Sequence, residues 1–374
     1  METAAPPAKT GGGSRLTQLD ALRALAAIAV MSYHYTHRFP QLYVPSVTPL
    51  FTNWNLDYLA ISTFFMISGF VIFMTIERST RLRDFALSRL LRLYPMYLMA
   101  IAITFTAMHI FGPANRAVGW KTVLRNLTLF QNWLGDGGRN VDGVYWTIGV
   151  EVNFYVLISL AFLFGWLRGR NLGITIGVWL VLCYYLESHW GEWVPGSMYW
   201  TRGFDCWWSQ CFISGICCYL VWKNGGRYTK WTAAGHIGAI TLVLLLRNST
   251  MAILLAALIL LMNTASTRRI PLLSTGLLPK LGVCTYALYL LHQNLGYTLM
   301  LHLKPHTGYW FALGCAYTMS ISLALLFTHF WEEPVRAKLK KKLRATTYFR
   351  PLPTAPRPRS ESAPVTPEGV HSND

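Results

Sequence analysis

A chain of 374 residues in which 53% are hydrophobic and only 13% charged has about half the charge of an average soluble domain. That composition excludes an ordinary water-soluble fold and points to a polytopic membrane protein whose first partner is the lipid bilayer. A formal charge of +17 would suit nucleic acid in a soluble protein, but here it matches the basic excess of cytoplasmic loops and tails, so no nucleic-acid partner is expected.

In chain order, residues 1–14 form a Gly/Ala/Pro leader with nothing to fold around. The first apolar run follows without a signal-peptide pattern and is interrupted by charge, so it is predicted to be a retained span. Apolar runs lie near 17–36, 58–76, 93–112, 144–165, 172–188, 204–222, 231–246, 249–264, 282–302 and 309–330. Several are shorter than the roughly 20 residues that cross a bilayer untilted, which leaves the seventh and eighth open to forming a tight hairpin. The predicted fold is all-α, an integral membrane protein of about ten transmembrane helices. The membrane domain covers 15–336, and 337–374 is a tail that is first basic and then proline-rich. With the N-terminus inside, 24 basic residues fall in cytoplasmic segments and 8 in outer ones, which predicts that both termini are cytoplasmic.

The one substantial outer loop, near 113–143, contains KTVLRNLTLFQNWL, whose spacing allows an amphipathic helix, followed by the turn-forming DGGRNVDG. A second outer stretch, ESHWGEWVPGSMYWTRGFDCWW, is dense in tryptophan and carries Glu187, Glu192 and Asp205. Its rings suit either sugar stacking or the aromatic belt of a membrane interface. After the last span, EEPVRAKLKKKLR predicts a basic helix along the inner leaflet, and the remainder a disordered proline-rich tail. The seven cysteines have no metal-ligand or redox spacing; they are expected to be small buried hydrophobes, and no metal is expected.

Ionisable groups inside a span need a partner or a water-filled cavity, which makes Asp20, Arg23 and His34 in the first run the leading functional candidates. Arg23 and His34 are eleven residues apart, close to three helical turns, so they share one face about 16 Å apart along the axis. A histidine can take a proton from a hydroxyl and return it to a leaving group, as acyl transfer requires. In ERSTRLRDFALSRLLRLYP, Arg89 and Arg92 share a helix face and could hold an anionic ligand at the inner surface, although the same arginines also serve as topology signals.

Five segments, taken together and in order, resemble the bacterial acyltransferase family 3 over residues 15 to about 336. They are LDALRALAAIAVMSYH, FFMISGF with Ser68, SRLLRLYP, WTIGVEVNFY with Trp146, Glu151 and Tyr155, and LGVCTYALYLLH with Tyr286, Tyr289 and His292. The chain departs from the family pattern at Gly149 and Thr285, where serine is usual, and at Val152 and Asn153. The resemblance implies a multi-pass protein of the bacterial inner membrane that transfers an acyl group, most often acetyl, from cytoplasmic acyl-CoA to a hydroxyl of a carbohydrate or glycolipid. Transfer would be completed within the membrane domain.

On that reading acetyl-CoA is the donor. Arg89, Arg92 and Arg83 would hold its phosphates, with its pantetheine arm running past Arg23. His34 would act as general base or transient acyl carrier, and Glu151 would orient its imidazole or the sugar. Trp146, Tyr155, Tyr286 and His292 are expected to contact the acceptor. The alternative is a transporter or flippase of a glycan or lipid intermediate, which the same depth-spread charges also permit, although no inverted repeat is visible.

Overall fold

The computed structural model describes residues 16–49, 55–134, 139–189, 197–268 and 270–344. Outside them lie the 1–14 leader, the first three residues of the DGGRNVDG turn, Glu192 and the proline-rich end of the tail. The described residues are helical, with no strand among them, as the all-α expectation required.

The chain opens with α1 (Thr17–Tyr33), a π-helical segment from His34 to Arg38, and α2 (Phe39–Tyr43). It continues through α3 (Leu56–Glu77), α4 (Leu82–Ile110), α5 (Trp120–Leu127), α6 (Gln131–Leu134), α7 (Trp146–Leu163) and α8 (Gly169–Ser188). Then follow α9 (Ser197–Gly203), α10 (Ser209–Lys223), α11 (Lys230–Leu246), α12 (Ser249–Thr267), α13 (Pro271–Ser274), α14 (Leu277–Thr307) and α15 (Tyr309–Phe327). A second π-helical segment, Thr328–Glu332, leads into α16 (Glu333–Arg344).

Among the described residues, six helical segments are long and apolar enough to cross a membrane: Asp57–Glu77, Leu82–Ile110, Gly143–Leu163, Gly169–Ser188, Ser249–Thr267 and Tyr309–Leu343. The other four expected spans are helical too, but α1, α10 and α11 have 17, 15 and 17 residues. α14 has ample length at 31 residues but carries polar groups through its middle. Only Arg247 and Asn248 separate α11 from α12, the tight connection that the short seventh and eighth runs allowed, with the Asn248 side chain capping the Met251 N–H at 2.9 Å.

Lipid offers no hydrophobic drive between helices, so close association depends on small residues at crossings. α3 and α10 meet in this way: a Cβ on Gly69 would collide with the Phe212 carbonyl, and one on Gly215 with the Met66 carbonyl. α1 crosses α14 where Gly282 lies against the Asp20 backbone. These crossings hold α3 against α10 and α1 against α14. The predicted amphipathic helix is α5, which buries Val123 and Asn126 and leaves Trp120 and Leu124 exposed.

Candidate active site

Seven helix positions from five helices converge on one cavity. Arg23 of α1, Ser68 of α3, Arg89 and Arg92 of α4, and Glu151 and Tyr155 of α7 line one cavity of about 230 Å³ with Tyr286 of α14. Arg89 and Arg92 share a face because α4 continues as one helix from Leu82, with Pro95 inside it rather than at its start. The Glu151 carboxylate accepts from Ser68 Oγ at 3.2 Å and Tyr155 Oη at 2.8 Å. Tyr286 Oη donates to the Leu93 carbonyl at 3.0 Å, and its ring lies under the Arg92 guanidinium, 5.1 Å away. Three cations against one carboxylate make this an anion-binding environment.

A second cavity of about 330 Å³, lined by Leu16, Asp20, Arg23, Glu332 and Arg336, shares Arg23, Val71 and Arg92 with the first. The two form a continuous approach from the end of the bundle where α1 begins. Asp20 pairs with Arg23 at 3.6 Å. Glu332, in the second π-helical segment, binds Arg92 directly and lies 3.7 Å from Arg336. Its side chain is only 2% exposed, so this carboxylate already occupies one of the cavity's guanidiniums.

His34 sits at the other end of α1, where the α-helix gives way to the π-helical segment. Such local widening often marks functional positions. Its Nδ1 lies 3.2 Å from Tyr297 Oη and 3.2 Å from the Gln293 amide, both on α14. Tyr297 Oη donates to the His34 carbonyl at 3.1 Å. With its one proton committed there, the phenol oxygen is left to accept from Nδ1–H, which makes Nε2 the nitrogen with the free lone pair. Turning the Gln293 amide over would bring its Oε1, buried without a partner, onto the same Nδ1–H.

The surroundings hold this arrangement still. Arg116, from the loop after α4, donates to Asn294 Oδ1 at 2.8 Å and to Tyr43 Oη at 2.7 Å, and lies 4.5 Å over the Tyr297 ring. Asp142 accepts the Asn294 backbone N–H at 3.0 Å and the Val144 N–H at 3.2 Å. The loop that carries Asp142 is thereby pinned to the α14 turn that contacts His34.

Between Arg23 and His34, the α1 positions Ala26 and Val30 pack with Ala60, Phe64 and Tyr289. Phe64 and Tyr289 meet edge to face at 5.5 Å and also line the arginine cavity. Their rings therefore cover the stretch of α1 that joins the two ends.

The predicted residues fall into distinct groups. Arg23, Arg89, Arg92, Glu151, Tyr155 and Tyr286 line the arginine cavity. His292 lies beside His34, with ring centroids 5.2 Å apart and its Nδ1 directed at the Tyr289 carbonyl at 2.9 Å. Arg83 is exposed and does not line the cavity. Trp146 faces a different cavity. Glu151 differs from expectation in its partners: they are Ser68 and Tyr155, and it makes no hydrogen bond to His34 among the described residues. Its side chain lines the cavity with the arginines instead. Gly149 also has a local reason, because a Cβ there would strike the amide of Asn132, which donates to the Trp146 carbonyl at 2.8 Å.

Sequence reasoning did not single out Gln293, Tyr297, Arg116 or Glu332. The nearest signal was the polar pair Gln293–Asn294 directly after His292.

Comparison with known proteins places the whole chain rather than the site. The acyltransferase-domain family, acyltransferase family 3, matches residues 16–329. The acyltransferase MdmB of Streptomyces mycarofaciens is 25% identical over 94% of this chain and 97% of its own length. Nodulation protein 10 of Rhizobium leguminosarum bv. viciae is 26% identical over 46% of this chain and 50% of its own. The peptidoglycan O-acetyltransferase OatA of Listeria monocytogenes is 24% identical over 54% of this chain and 33% of its own. No solved structure matches. Matched over residues 16–329, the chain belongs to acyltransferase family 3 and is an acyltransferase.

Proposed function

We propose that this enzyme moves an acetyl group from cytoplasmic acetyl-CoA to a hydroxyl of a carbohydrate or glycolipid at the bacterial inner membrane, through ten spans with both termini in the cytoplasm. The observation that carries this reading is the placement of an arginine-lined cavity and a histidine at two levels of the same helix. The cavity has the charge to hold a polyanionic donor, and its approach opens at the basic end of the bundle.

Arg89, Arg92 and Arg23 hold the anionic part of the donor, with Arg92 exchanging Glu332 for a phosphate. The narrow arm of the donor runs along α1, and the Phe64 and Tyr289 rings move aside to let its thioester reach His34. His34 Nε2 takes the proton of the acceptor hydroxyl as that oxygen attacks the thioester carbonyl carbon. Collapse of the tetrahedral intermediate breaks the carbon–sulfur bond, the imidazolium returns the proton to the leaving thiolate, and an O-acetyl ester and free CoA result. Tyr297 and Gln293 hold the imidazole tautomer. Glu151 sets the polar wall of the donor cavity.

Purified protein incubated with labelled acetyl-CoA and surface polysaccharide from an unacetylated strain tests the reading. Label moves to the polysaccharide and free CoA appears in equal amount. Absence of both donor consumption and donor binding would overturn it.

A further inference from the structure

A third cavity, of about 540 Å³, lies on the other side of α7 from the donor cavity and is lined by Trp146, Trp207, Trp208, Glu187, Asp205 and Arg247, among others. Trp146 separates the two spaces: its ring faces this cavity and meets Phe65, a wall of the donor cavity, with centroids 6.4 Å apart. The mechanism above makes no use of it.

Its polar groups are incompletely satisfied. Asp205 is 4% exposed, and its Oδ2 has no hydrogen-bond partner. The other oxygen, Oδ1, accepts from Asn153 Nδ2 at 3.3 Å. Glu187 has a side chain 6% exposed; Oε2 binds Arg247, while Oε1 has no partner. An acceptor buried in this way costs about 1–3 kcal/mol unless something donates to it, and here there are two on one cavity. Asp205 is held at φ 48°, a left-handed conformation that aspartate tolerates better than most residues.

Two carboxylates, Glu187 and Asp205, are balanced by two guanidiniums, Arg202 and Arg247, so the lining favours neither an anion nor a cation. Open acceptors, neutral balance and indole surfaces together suit a ligand that has hydroxyl donors on its edge and an apolar C–H face. That is the chemistry of a neutral sugar ring.

We propose that this outer cavity is a saccharide subsite, in which Asp205 and Glu187 accept sugar hydroxyls and the exposed Trp207 indole packs against the ring on the face that Arg247 leaves open. The proposal rests on the reading of the chain as a carbohydrate O-acyltransferase.

Its test is isothermal titration of the full-length, detergent-solubilised protein with two neutral probes, maltotetraose and N-acetylchitotetraose, with glucosamine and glucuronate as charged controls. Acetyl-CoA binding is measured on the same samples. At least one neutral probe binds the wild type more tightly than either charged control. Asp205→Asn, which keeps the left-handed tolerance, and Trp207→Ala each weaken binding at least tenfold and leave acetyl-CoA binding unchanged. Saccharide binding that both variants retain would overturn the subsite, as would wild-type protein that binds acetyl-CoA but neither probe, the outcome for a cavity filled by water alone. Tighter binding of a charged control would overturn the neutral-sugar assignment. Loss of acetyl-CoA binding by the wild type would instead refute the acyltransfer reading from acetyl-CoA.

Discussion

Replacing Tyr297 with phenylalanine removes one oxygen and leaves the ring in place. The ring's packing against Phe39, at 5.3 Å, and beneath Arg116, at 4.5 Å, does not depend on the hydroxyl, so the fold should survive. What is lost is the contact with His34 Nδ1 at 3.2 Å and the donation to the His34 carbonyl at 3.1 Å. A hydrogen bond to a neutral imidazole contributes about 0.5–1.5 kcal/mol, and one to a charged group about 1.5–3 kcal/mol. The imidazole becomes charged only as it takes the acceptor's proton, so the difference acts on the transition state. That difference, about 1–1.5 kcal/mol, lowers kcat roughly five- to thirteenfold. The assay is steady-state transfer from labelled acetyl-CoA at saturating donor, with the donor KM measured in parallel. Unchanged kcat, or a rise in donor KM alone, would refute the assignment of Tyr297 as the residue that orients His34.

Arg89→Ala should raise the donor KM at least tenfold while lowering saturated turnover much less; the reverse pattern, measured in the same assay, would place Arg89 at the chemical step. Glu332→Gln frees Arg92 and should lower the donor KM several-fold. It should also lower the thermal melting temperature, by less than the roughly 3–5 kcal/mol of a fully buried pair, because Arg92 is 32% and Arg336 37% exposed. Gly69→Val drives a side chain into the Phe212 carbonyl. Such overpacking costs about 1–3 kcal/mol or more, and the melting temperature in detergent should fall accordingly.

The sequence was most readable where one helix carries the information. The eleven-residue interval from Arg23 to His34 implied two depths along one helical run, and the structure puts Arg23 in the arginine cavity and His34 directly after the last residue of α1. Arg89 and Arg92 likewise followed from a three-residue spacing within α4. Rotation about an axis was harder to read. Glu151 lies five residues into α7, but which neighbour it meets depends on how α7 packs against α3 and α4, and the carboxylate turns to Ser68 and Tyr155 in the arginine cavity, not to His34. Contacts between distant segments left no local trace: Arg92 and Glu332 are 240 residues apart, and His34 and Tyr297 are 263 apart. Span count suffers from the same limit, because α14 buries His292, Gln293 and Asn294 mid-helix, and a helix carrying the site's polar groups loses the hydropathy that would mark it as a span.

The central claim is that His34 is the base that transfers the acetyl group, and the most direct measurement compares wild type and His34→Ala for labelled acetyl-CoA binding and for transfer to polysaccharide in the same membranes. The account predicts donor binding within about twofold of wild type and transfer reduced by at least a hundredfold, as expected for loss of a general base. Transfer near the wild-type rate in the alanine variant would contradict it.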